Sequence, residues 1–84
     1  MIYKFNAENV TRGAAVKLVR ELEAKGVEVD YANQGQTFEN EMTLIVTCDE
    51  AMAKKIREDI WKVNHGLFCD MEIITPDQLD PYLQ

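Results

Sequence analysis

Apolar positions along the chain recur with a period of two in some stretches and of three to four in others. At residues 2–7, Tyr3, Phe5 and Ala7 alternate with Ile2, Lys4 and Asn6, the pattern of a strand with one covered face. Over residues 10–25, Ala14, Ala15, Leu18, Val19 and Leu22 share one helical face, and Arg12, Lys17, Arg20, Glu21 and Glu23 lie off it. Gly26 predicts the helix stop, because glycine takes up the left-handed backbone without a steric penalty. Val27, Val29 and Tyr31 then alternate with Glu28 and Asp30 as a second strand, and the polar run around Gln34-Gly35-Gln36 predicts a hairpin turn. MTLIVTC predicts a third strand, with Met42, Leu44, Val46 and Cys48 inward and Thr43, Ile45 and Thr47 outward.

Asp49 is placed to cap a second helix, since its carboxylate accepts the first free backbone N–H groups. Met52, Ile56, Ile60 and Val63 form the expected buried stripe of that helix. Asn64-His65-Gly66 predicts its end, with His65 in the last turn and Gly66 in the left-handed position. CDMEII reads as strand four. Thr75-Pro76 predicts one short turn, which Asp80-Pro81 breaks into a tail carrying Tyr82 and Leu83.

The element order is β-α-β-β-α-β. Right-handed crossovers place both helices on one face of the sheet. The expected fold is α+β: a two-layer, ferredoxin-like sandwich with an antiparallel sheet in the order 4-1-3-2, two helices on one face and the other face open. The length predicts a single domain over residues 1–84, with 75–84 as a short turn and tail.

Composition narrows the function classes. At 46% hydrophobic and 29% charged residues the chain has the balance of a folded protein rather than a disordered one. A net charge of −6 argues against direct nucleic-acid binding, which needs clustered Lys and Arg. No apolar run has signal-peptide or membrane-helix length, so the expected location is cytoplasmic and no membrane partner is expected. In that setting Cys48 and Cys69 are expected to be reduced thiols.

NHGLFCD, residues 64–70, sets His65, Cys69 and Asp70 close together, and a thiol enzyme is one reading of it. The simpler reading splits the stretch into structural roles. His65 is favoured by the helix C-terminal dipole, Cys69 packs as a small apolar side chain, and Asp70 begins a strand. The expected topology sets Cys48 and Cys69 at opposite edges of the sheet. Neither a disulfide nor a shared metal site is expected, and no catalytic residue and no cofactor are assigned.

Val10-Thr11-Arg12-Gly13-Ala14-Ala15 resembles the active-site turn of HPr-type phosphocarriers, His-Thr-Arg-Pro-Ala-Ala. Val10 stands where that family has its phosphorylated histidine, and Gly13 where it has proline. The resemblance therefore does not extend to phosphoryl transfer. What it leaves is a helix start at which Thr11, Arg12 and free N–H groups, with His65 at the same edge, are a candidate anion site.

The outward positions of the four strands are Ile2, Lys4 and Asn6; Glu28, Asp30 and Ala32; Thr43, Ile45 and Thr47; and Asp70, Glu72 and Ile74. RNA-binding sheets of this topology display aromatic and basic residues on that face, and this one has a single Lys and no aromatic. Ile2, Ile45 and Ile74 form an apolar middle between acidic flanks. Such a face is either simply solvated or pairs with a basic partner or a second copy, as a homodimer. Nearly all of the Lys and Arg lie on the two helices. Trp61 falls off the buried stripe of helix two, either as an interface residue or covered by Tyr82 and Leu83 folding back.

The leading expectation is a non-enzymatic interaction or regulatory domain. Ile2, Lys4, Glu28, Asp30, Ile45, Asp70, Glu72 and Trp61 are its candidate contact residues. Its partner is expected to be a protein with a basic surface, and one form of the idea is an inhibitor that occupies that surface. The alternative is an anionic-ligand domain using Thr11, Arg12 and His65.

Overall fold

The capping chemistry read from the sequence sets the helix starts. In the computed structural model, which describes residues 1–34 and 41–84, the Thr11 hydroxyl accepts the Ala14 N–H (3.2 Å) and opens helix α1, Arg12–Ala24. The Asp49 carboxylate accepts the Met52 N–H (2.8 Å) and opens helix α2, Glu50–Val63. Gly26, at φ +80°, ends α1: its N–H reaches the Glu23 carbonyl, and the Val27 N–H reaches that of Leu22.

The strands are β1, Ile2–Ala7; β2, Glu28–Gln34; β3, Met42–Thr47; and β4, Cys69–Ile74. They form one antiparallel sheet in the order β2-β3-β1-β4, the ferredoxin-like arrangement expected from the pattern. The hairpin turn expected at Gly35-Gln36 lies outside the described residues. Tyr3, Phe5, Leu44, Val46, Leu18, Leu22, Ile56 and Ile60 fill the layer between the sheet and α1/α2. Val10, just before the α1 cap, is also fully buried there. The family resemblance at that position therefore ends in a core residue.

The structure corrects the expected layout in four places. First, the tail is a helix, α3, Pro76–Leu83. Thr75 and Gln78 cap it reciprocally: the Gln78 N–H donates to the Thr75 hydroxyl, and the Thr75 N–H donates to the Gln78 side-chain oxygen (2.8 Å). Leu79 and Tyr82, three residues apart, then lie on one side of the helix. Leu79 joins Ile45 and Ile74 in a second buried cluster, with Ile2, Tyr31 and Tyr82 packed around it. The sheet's second face is therefore not open: Ile45 is fully buried and Ile74 nearly so.

Second, β2 carries a bulge between Val29 and Tyr31. The extra residue reverses the alternation beyond it. Tyr31, expected inward, faces α3 opposite Ile45, while Ala32, expected outward, pairs with Leu44 and packs on the core.

Third, the buried stripe of α2 is Ala53, Ile56, Ile60 and then Asn64, whereas Val63 is 42% exposed. A count of apolar residues selects Val63 and passes over the amide. Asn64 is buried because its side chain donates to the carbonyls of Glu8 (3.1 Å) and Phe68 (3.2 Å), with Leu67 at 3.4 Å.

Fourth, His65 is not in the last turn of α2. It follows the cap residue Asn64 and itself adopts the left-handed backbone, at φ +59°. The Gly66 N–H then closes the end on the Trp61 carbonyl (2.8 Å).

Candidate interaction surface

The candidate contact residues divide between the two faces of the sheet and its two edges. On the α3 side, Lys4 on β1 forms an ion pair with Glu72 on β4 (2.8 Å), directly across the strand pair. The Lys4 ammonium also lies 5.8 Å from the centre of the Tyr82 ring. The hydrogen-bonded Glu72 carboxylate holds the Lys4 pKa above its ordinary value, against the opposing effect of burial. On the same side the Thr47 hydroxyl donates to Asp30 (2.7 Å), and the Thr43 hydroxyl donates to Asn6 (3.0 Å). Glu28 and Asp70 are exposed.

Ile2 and Ile45, expected to offer an apolar centre to a partner, instead meet the chain's own Leu79 and Tyr82. What this side presents outward is a ring of carboxylates around α3, which itself adds Asp77 and Asp80.

Trp61 is 38% exposed, and the Arg57 guanidinium stacks over its ring at 4.9 Å. Tyr82 does not fold back over Trp61. It pairs with Tyr31 (ring centres 5.1 Å apart) on the opposite face of the sheet, and Leu83 is exposed. Glu50, Lys54, Arg57 and Trp61 follow one another at helical spacing along one flank of α2. That flank faces β4: Glu50 lines a groove of about 330 Å³ together with Met1, Tyr3, Met71 and Ile73.

The thiols are free, and both are half-buried. Burial pushes the Cys69 thiol up to about 11, and the Arg57 guanidinium only partly offsets it. Burial, helped by the Asp49 carboxylate, raises Cys48 as well. A thiol held protonated at neutral pH is a poor nucleophile. Among the described residues, no group of three or more His, Cys, Asp or Glu side chains is placed to hold a metal ion.

The structure does bring Thr11, Arg12 and His65 to one end of the molecule. The Glu8 N–H donates to the Phe68 carbonyl (3.1 Å), and Asn64 ties the β1–α1 and α2–β4 connections together. The Thr11 hydroxyl there accepts the Ala14 N–H, which takes that backbone donor away from an anion but leaves the hydroxyl's own proton to donate. The unpartnered buried atom nearby, Asn64 Oδ1, is an acceptor, the wrong sign for holding an anion.

Two features of this surface were not read from the sequence: the α3 cover and the flank of α2 that overhangs β4. The first signal was present in Thr75-x-x-Gln78, a capping-box spacing. The second depends on which strand lies beneath α2. No family model, curated protein or solved structure matches the chain.

Proposed function

We propose that the chain is a non-enzymatic interaction domain that engages a protein with a basic surface through the acidic, α3 side of its sheet. One observation carries this reading. Lys4 is the only Lys or Arg outside α1, its C-cap Lys25 and α2, and Glu72 already neutralises it. Glu28, Asp30, Asp70, Asp77 and Asp80 therefore present one sign of charge on that side. A single-sign patch steers a partner of opposite charge and rejects one of like charge. An inhibitor that covers a nucleic-acid-binding surface is the regulatory form of the same idea, in a cytoplasmic setting with reduced thiols. The protonated thiols and the half-buried Cys69 weigh against thiol chemistry.

The test is a pull-down from the source cell over a salt series, with Asp70→Lys/Glu72→Lys in parallel. The expected result is capture that falls steeply with salt and is lost in the double variant. A partner list unchanged by both treatments would falsify the reading. The anion alternative has its own check: phosphate should raise the melting temperature, and should do so less in Arg12→Ala.

A further inference from the structure

We infer that the outer edge of β4 is a docking site for an extended segment of a partner protein in which basic and apolar residues alternate. This rests on the interaction reading above and names the element that makes the contact. β4 is an outer strand, with β1 on one side and, among the described residues, no strand on the other.

Which backbone groups are free follows from one hydrogen bond. The Glu8 N–H donates to the Phe68 carbonyl, and the β1–β4 register places Asn6 opposite Asp70 and Lys4 opposite Glu72. In an antiparallel ladder, hydrogen-bonded pairs alternate along the strand. Asp70, Glu72 and Ile74 therefore turn their N–H and C=O groups to β1, and Cys69, Met71 and Ile73 turn theirs to solvent. The strand has no proline, no lysine and no register shift against β1, and the charges it does carry, Asp70 and Glu72, repel only an acidic strand.

The side chains specify the occupant. On the α2 side, Met71 and Ile73 line the groove with Tyr3 and Glu50, and Trp61 lies further along the same flank of α2. Ile73 is 57% exposed. On the α3 side, β4 offers Asp70 and Glu72. An added strand alternates its side chains in the same way, so apolar residues meet Met71, Ile73 and Trp61 while basic residues meet Asp70 and Glu72.

A second copy of the chain is the poorer occupant. An antiparallel β4–β4 pair that uses the free groups of Cys69, Met71 and Ile73 sets Asp70 and Glu72 of one copy against the same acids of the other. Like charges directly opposite are destabilising.

The experiment titrates a short synthetic peptide of alternating lysine and valine into the full chain. It is read by fluorescence of the only tryptophan and by backbone amide exchange. A glutamate–valine peptide and poly-lysine serve as comparisons. The lysine–valine peptide is expected to shift Trp61 emission to the blue and to slow exchange at Cys69, Met71 and Ile73. The glutamate–valine peptide is expected not to bind, and Asp70→Lys is expected to reverse that preference. Ile73→Pro removes an N–H that β1 does not use, and should weaken binding by about tenfold. Ile73→Thr keeps the N–H and should retain the amide protection.

If poly-lysine binds in a salt-dependent way and the lysine–valine peptide binds no better and protects none of the three amides, strand addition is overturned and the electrostatic reading stands. If neither cation binds, both fall. The same protection appearing with protein concentration, without peptide, assigns the edge to self-pairing and also overturns the proposal.

Discussion

β2 and β4 are the outer strands of one sheet, and they meet solvent on different terms. β2 is interrupted by a bulge, is packed by α1 on one face, and touches α3 through Tyr31 and Tyr82 on the other. β4 keeps an unbroken register with β1, is packed by α2 on one face and meets α3 on the other only at its end, through Ile74. A bulge twists an edge away from further pairing, whereas a regular strand leaves its donors and acceptors in line. Two outer edges of one sheet thus differ in how readily they accept another strand. The difference arises in the extra residue at Asp30 and in the side chains that flank each edge.

The contrast is testable by stability as well as by binding. The largest expected effect comes from unsealing the β2 side. Leu79→Ala removes the centre of the α3 cluster and should cost about 2–4 kcal/mol. Amide exchange should accelerate along α3, β2 and the Ile74 end of β4, while the Cys69 end of β4 keeps its rates. Equal acceleration along the whole of β4 would mean that α3 does not guard the β2 side selectively.

Asn64→Ala addresses the anchored start of β4. It removes the donor that serves the Glu8 and Phe68 carbonyls, and about 1–3 kcal/mol of stability should go with it. The loss should show in urea melts as a lower midpoint with an unchanged slope.

Alkaline pH gives a smaller effect with a definite sign. The folded-state pKa of Cys69 is raised from 9.0 to about 11. The unfolded chain therefore releases this proton first as pH rises. Stability should be complete below pH 9.0 and fall as pH climbs toward 11. Lys4, raised above 10.5, adds a loss in the same direction at still higher pH. Melting temperatures of Cys69→Ala should decline less steeply between those values; an unchanged slope would assign the effect to other groups.

The smallest expected change is at the Lys4–Glu72 pair, which tethers β4 to β1 at a solvent-facing site. With solvent screening, Lys4→Met should cost no more than about 1 kcal/mol. The difference from the native chain should shrink further in high salt.

Several elements were plain in the local pattern because their causes are local. Ile2–Ala7 alternates cleanly, Cys69–Glu72 does so up to the adjacent Ile73 and Ile74, and Thr11 and Asp49 cap the helices where their side chains reach. The errors fall where a residue's environment comes from distant parts of the chain. Asn64 is buried because carbonyls of Glu8 and Phe68 converge on it, and no window around Asn64 contains Glu8. Val63 is exposed because α2 turns that amide, not the valine, toward the sheet. Tyr31 changed faces through one bulge residue, and the acidic contact set lost its apolar middle once Leu79 and Tyr82 covered it.

By itself, then, the sequence determined the order of the six elements from β1 to β4, the caps of α1 and α2, the helix-facing sides of β1, β3 and β4, and the concentration of bases on α1 and α2. These follow from periodicity and short-range hydrogen bonding, which act within a few residues. Only the tertiary structure decided that α3 closes the second face, that Trp61 stacks with Arg57 on α2 while Tyr82 meets Tyr31, and that β4 is the regular edge. Those outcomes depend on which surfaces lie opposite each other after folding, and that is set by the competition of all apolar faces for cover.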